Sequence, residues 1–144
     1  MTPRTGQAHD LRDAGNRSLA IVHAFNARGL VLPQIASINP PLWEFGHVAW
    51  FTEYWVLRHA THRDALRADG DALFDSATVA HRLRWELPLP SFEETVAFAD
   101  RVRTQACDVL AEARRARVRY FGTLAVFHED MHGEAALMTA QSLR

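Results

Sequence analysis

Residues 127–134 read FHEDMHGE and set His128 and His132 four residues apart. They lie inside an apolar-periodic run from Tyr120 to Leu137 that holds no proline, so the spacing predicts a helix. Four residues advance a helix by about 400°, which leaves the two imidazoles about 40° apart on one face and one turn up. Two neutral imidazoles placed this way reach one metal ion from the same side. On a wheel with His128 at zero, Phe121, Leu124, Met131 and Ala135 share its face, so both rings are expected to point into apolar surroundings. Glu129 and Asp130 are expected to point away. Glu134 stands about 240° from His128, a poor position for a ligand and a better one for a carboxylate that supports a ligand from behind. The bland alternative is a helix whose two half-buried histidines are satisfied by neighbours, and a third inward histidine decides between the two.

The chain around this stretch has 144 residues, enough for one domain, residues 1–144, with a real core. Its 48% hydrophobic and 23% charged residues are ordinary globular values. A formal net charge of -1, with no basic stripe interleaved with aromatics, argues against nucleic acid as a partner. Every basic side chain other than histidine is arginine, which excludes Schiff-base lysine chemistry. The single Cys107 has no internal disulfide partner and reads as a buried, inert thiol beside Arg103 and Leu110. The opening MTPRTGQAHD lacks the apolar run of a secretory signal, and no stretch is apolar for long enough to span a bilayer. The expected compartment is the cytoplasm.

Helix one is predicted from Asp10 to Arg28, with Gly29 as its stop and His23 read as a core histidine. A connection follows from Gly29 to Pro40. Helix two, from Pro40 to Arg58, reads PPLWEFGHVAWFTEYWVLR, with Asn39 able to cap it. His47 lies among Trp43, Trp50, Phe51 and Tyr54, and Gly46 beside it suggests close approach of another backbone. Glu44, three residues before His47, reads as a ligand or an orienting partner. His59 and His62, beside Arg58, Arg63 and Asp64, read as surface residues. The stretch from Arg63 to Pro90 is expected to cross one end of the molecule as a loop with short helical turns. Asp75, Ser76, His81, Arg82, Arg84 and Trp85 are its polar and aromatic content, either structural or substrate-binding. Ser91 and Glu94 form a capping box that opens helix three. A break is placed near Arg115 to Val118, and helix four runs from Tyr120 to Ser142. The expected fold is therefore all-α: a four-helix bundle with a long crossover between helices two and three, and metal sites built from inward side chains. His47, His128 and His132 converge as candidate ligands for one divalent metal.

Two blocks carry a resemblance. W-E-F-G-H-V-A-W-F from Trp43 to Phe51, together with H-E-D-M-H-G-E from His128 to Glu134, resembles the DinB-like domain at the N-terminus of ergothioneine-synthase-type proteins. E-Y-W-V-L-R, L-F-D-S and H-R-L-R-W look most like the selenoneine-synthase branch. The resemblance implies that His47, His128 and His132 are facial iron(II) ligands. The reaction implied is oxygen-dependent formation of a carbon–sulfur or carbon–selenium bond on the imidazole of hercynine, from a thiol or selenium-sugar donor and O2. It also implies that Arg82 or Arg84 meets the donor's anionic group, and that Trp50 and Met131 lie at the substrate. Ergothioneine synthases commonly carry glutamine where Met131 stands, just before the second histidine of the pair. Proteins of the family continue into a formylglycine-generating-enzyme-like domain that completes the site. That domain is expected C-terminal to this one or in trans, and the active site of residues 1–144 is expected to be incomplete. No tyrosine other than Tyr54 and Tyr120 occurs, and both fall on expected packing faces. The alternatives are a stand-alone DinB-like zinc thiol transferase and a non-catalytic helical bundle.

Overall fold

The computed structural model describes residues 6–29 and 31–143, and within them the chain is helical with no strand. Met1–Thr5 of the opening stretch and Leu30 of the first connection lie outside the described residues. Helix α1 spans Gly6–Arg28 and stops at Gly29, whose φ of +57° suits glycine. Helix α2 spans Pro41–Thr52 and continues without a break into a π-helical turn, Glu53–His59. Ala60 N–H closes that turn on the Trp55 carbonyl at 3.1 Å, a reach of five residues. The crossover holds a short helix α3, Gly70–Phe74, and a 3-10 turn, His81–Trp85. Helix α4 spans Phe92–Glu112 and α5 spans Ala116–Ser142. The four long helices and the helical crossover are as expected, and α4 and α5 are the predicted third and fourth helices. Among the described residues no helix is long and apolar enough to cross a membrane.

Helix α1 packs along both α4 and α5, and α2 packs along α4. Helices α4 and α5, consecutive in the chain, scarcely touch. The main core joins Leu11 of α1, Trp43 and Trp50 of α2, Phe74 of α3, Phe98, Val102 and Leu110 of α4, and Ala125 of α5. Cys107 is buried in it, and burial pushes its thiol pKa up, as an inert thiol requires.

Several local expectations are corrected. Asn39 does not cap α2; Pro40 is the residue before the first turn and no side chain caps it. His23 is exposed, with its ring edge-on to Phe92 at 5.1 Å, because α1 buries the stripe through Leu11, Ala14, Val22 and Phe25 and leaves position 23 outside it. The close approach at Gly46 is a side chain: a Cβ there would run into the Phe74 ring. Helix α5 begins at Ala116, four residues earlier than expected, after Ala113 and Arg115 turn extended. Tyr120 is exposed, off the packing face.

Candidate metal centre

The interface between α2 and α5 is filled by imidazoles. His47 comes from the middle of α2, and His128 and His132 from successive turns of α5. Ring centroids lie 5.0 Å apart for His47 and His128, 4.9 Å for His47 and His132, and 4.4 Å for His128 and His132. One nitrogen from each ring falls within 4.8 Å of the others. A metal–nitrogen bond of about 2.1 Å puts neighbouring ligand atoms roughly 3.0–3.4 Å apart, so side-chain shifts of about 1 Å close the set on one ion.

The donors are prepared for this. His47 Nδ1 lies 2.7 Å from the Phe74 carbonyl, which only accepts, so Nδ1 carries the proton and Nε2 keeps a free lone pair. His128 Nδ1 and His132 Nδ1 are buried with no hydrogen-bond partner, as is Glu44 Oε1. Such orphaned atoms are rare in a finished interior; an ion held by one nitrogen of each ring would fit them, with the other nitrogen of each ring left as an N–H donor. Burial pushes the His47 pKa down to about 4, and burial with the neighbouring imidazoles pushes that of His128 to about 2. Both rings are therefore neutral at physiological pH, the form a metal needs. Three neutral imidazoles suit iron, zinc, copper or nickel.

Aromatic rings fix the orientation of the ligands. Trp43 stacks on His47 at 4.9 Å, and Phe51 stacks on His128 at 3.6 Å. Trp50 stacks on His47 from another side at 5.9 Å and donates its indole N–H to Asp71 of α3 at 2.7 Å. The Arg84 guanidinium lies 4.0 Å over the Trp43 ring. Glu44 is buried, with Oε1 3.7 Å from His132 Nδ1.

Other candidates fall elsewhere. Glu134 is exposed and lines a surface cleft with Arg17 and Glu129, so the carboxylate beside the histidines is Glu44. Met131 and Ala135 are exposed, since the arc that α5 turns inward runs from His128 and Phe121 through His132 and Ala125 to Glu129 and Gly122. Glu129 and Asp130 point toward α1, contrary to expectation. Asp130 pairs with Arg17 at 2.7 Å, and Glu129 is sunk far enough that desolvation pushes its pKa up to about 7. Arg82 is exposed, His81 is tied to the Ile38 carbonyl at 2.6 Å, Asp75 holds a local turn through Ala77 N–H, and Ser76 is exposed. A cavity of about 370 Å³, walled by α1, α2 and α4 and reached by Glu129 of α5, is not lined by the three histidines. Asn39, Asp71 and Phe74 were missed as parts of the site. They lie in the loop before α2 and in the crossover, where no periodicity points inward.

A family model for the DinB superfamily matches residues 10–141. The chain belongs to the DinB superfamily. The DinB fold is all-helical here, as the two motifs implied. This DinB chain is also 28% identical, over 136 residues, to the hercynine oxygenase of Mycolicibacterium thermoresistibile. The similarity takes in 93% of the DinB chain and 30% of that protein, so the chain spans less than a third of the length of the curated relative it matches.

Proposed function

We propose that this chain is the metal-holding domain of a non-haem iron(II), oxygen-dependent synthase that joins sulfur or selenium to hercynine, as in ergothioneine or selenoneine formation. The observation that carries the reading is the convergence of His47, His128 and His132, in a chain similar over 93% of its length to a protein named hercynine oxygenase. Three histidines leave up to three positions of an octahedral ion open for a chalcogen donor and oxygen. Iron(II) at these nitrogens would supply the oxygen chemistry. The chain's own residues bind and orient. Burial holds the rings neutral, the Phe74 carbonyl directs His47, and Trp43 and Phe51 keep the rings from turning. Trp50 lies against His47 as an aromatic wall for the substrate. Met131, exposed one residue before His132, would offer a thioether rather than an amide to the trimethylammonium group. The donor's anionic end is assigned to the 3-10 turn, where Arg82 is exposed and Arg84 is tied into the fold.

The test is anaerobic iron(II) loading of the untagged chain, with metal analysis of the wild type and of His47→Ala, His128→Ala and His132→Ala. About one iron per wild-type chain and a large loss in each variant is expected. Full stoichiometry in His47→Ala would remove α2 from the site. Hercynine, oxygen and a thiol or selenium-sugar donor, read by mass spectrometry, then test the reaction. Zinc retained in place of iron, with thiol transfer, would favour the zinc transferase.

A further inference from the structure

Asn39 stands just ahead of Pro40 and Pro41, and its side-chain amide is held from both sides. Its Oδ1 accepts from Arg84 Nη1 at 2.8 Å, and its Nδ2 donates to Glu44 Oε2 at 3.1 Å. The amide has only one orientation that works, because a guanidinium only donates and a carboxylate only accepts. The second oxygen of Glu44 is buried, has no partner, and faces His132 Nδ1 across 3.7 Å. That nitrogen is also buried and without a partner. The gap is too long for a hydrogen bond, yet less than 1 Å of movement would make one. Arg84 also donates Nη2 to the Val79 carbonyl at 3.3 Å and covers Trp43, the ring stacked on His47. One crossover arginine thus reaches the centre twice, through Trp43 to His47 and through Asn39 and Glu44 toward His132.

We propose that Asn39 is a positioning residue of the metal centre, holding Glu44 where it accepts the Nδ1 proton of His132 and linking that carboxylate to Arg84 of the crossover. The proposal rests on the metal-centre reading above. A neutral imidazole that gives one nitrogen to a metal carries its proton on the other, and that N–H is normally met by a carbonyl or carboxylate. At His47 the partner is in place, the Phe74 carbonyl. At His132 the acceptor within reach is Glu44 Oε1, and its carboxylate is oriented by Asn39. An asparagine here meets both needs at once, an acceptor for the arginine and a donor for the carboxylate.

Zn(II) and the untagged, nitrogen-15-labelled chain provide the test, read by chelator competition and by proton NMR of the ring N–H groups. In the zinc-loaded wild type, His47 and His132 should each show a slowly exchanging Nδ1–H. Asn39→Leu should shift or lose the His132 signal, keep that of His47, and weaken zinc binding by about tenfold or more. Asn39→Asp separates a link from a strut. It would keep or improve the contact with Arg84 but set a carboxylate against Glu44, so a strut for Arg84 survives it while the proposed role does not. Circular dichroism checks the fold, and Glu44→Gln, which should perturb the same His132 signal, replaces Asn39→Leu if that variant does not fold. Wild-type zinc affinity and an unmoved His132 signal in the folded variants would overturn the proposal, as would a zinc-loaded wild type with no protected His132 proton. A wild type that takes up no zinc fails the metal-centre reading itself, before any variant is compared.

Discussion

At the scale of single residues, Gly46 and His47 work as a pair. Gly46 leaves room for the Phe74 ring where a Cβ would stand on α2, and in that arrangement the Phe74 carbonyl meets His47 Nδ1. Alanine at position 46 would gain about 1 kcal/mol of helix propensity. It would also push a methyl into a fully buried ring, and overpacking of that kind costs typically about 1–3 kcal/mol. Gly46→Ala is therefore expected to be net destabilising by about 1 kcal/mol. The urea midpoint should fall, and metal affinity with it, because the carbonyl that orients His47 moves. An unchanged midpoint with unchanged affinity would show that α3 yields freely.

At the scale of elements, the end of helix two is built by a residue that rarely does the job. His62 sits at φ +58°, its N–H bonds to the Arg58 carbonyl at 3.0 Å, and Arg63 N–H reaches back to Leu57 at 2.9 Å. This is a double closure like that of a Schellman stop but one residue wider, reaching back four and six residues after the π-helical turn, and at its left-handed position glycine is favoured because a Cβ strains that backbone. His62→Gly is predicted to raise stability by up to about 1 kcal/mol in thermal unfolding, without touching the metal site. The start of α4 was fully legible: Ser91 Oγ accepts from Glu94 N–H at 3.1 Å, and Glu94 Oε2 accepts from Ser91 N–H at 2.9 Å. Ser91→Ala should cost about 1 kcal/mol. The π-helical turn has a clear consequence. It carries Trp55 onto Phe121 of α5 at 5.3 Å, one rung below the stack of Phe51 on His128, so α2 and α5 meet through rings.

At the scale of the whole molecule, the histidine cluster sets a pH dependence. The unfolded chain takes up protons on histidine below about 6.5, while folded His47 stays neutral down to about 4 and His128 to about 2. Between those values the unfolded state binds more protons at these two groups, so their contribution to stability is full above about 6.5 and is lost as pH falls, while Glu129, pushed up to about 7, takes up its proton on folding and offsets part of that loss. For His47 alone the loss across its window is on the order of 3 kcal/mol. Urea unfolding of the metal-free chain at pH 7.5 and pH 5 measures the net change, and the stability difference between wild type and His47→Phe should shrink from pH 7.5 to pH 5 as the His47 contribution is lost. A divalent ion at a hundred times its dissociation constant should add about 2.7 kcal/mol. Melting of the chain with and without chelator measures this.

Sequence alone determined the helical class, because helix periodicity and a capping box are local properties. It also determined that His128 and His132 share a face, which follows from a four-residue spacing, and that His47 lies in the aromatic stretch of α2. Other features depended on which helix packs against which. Arginine and alanine fill residues 113–117 without glycine or proline, so the break after Glu112 is imposed by packing and not by a local breaker. The direction of Glu129 and Asp130 was misjudged because α5 is covered on two sides, by α2 at the histidines and by α1 beside them. The partners of the imidazoles could not be read at all. The Phe74 carbonyl, the Phe51 face and the chain from Arg84 through Asn39 to Glu44 join residues up to 77 positions apart in sequence. Their contacts form only when the crossover folds back and α2 and α5 are brought together.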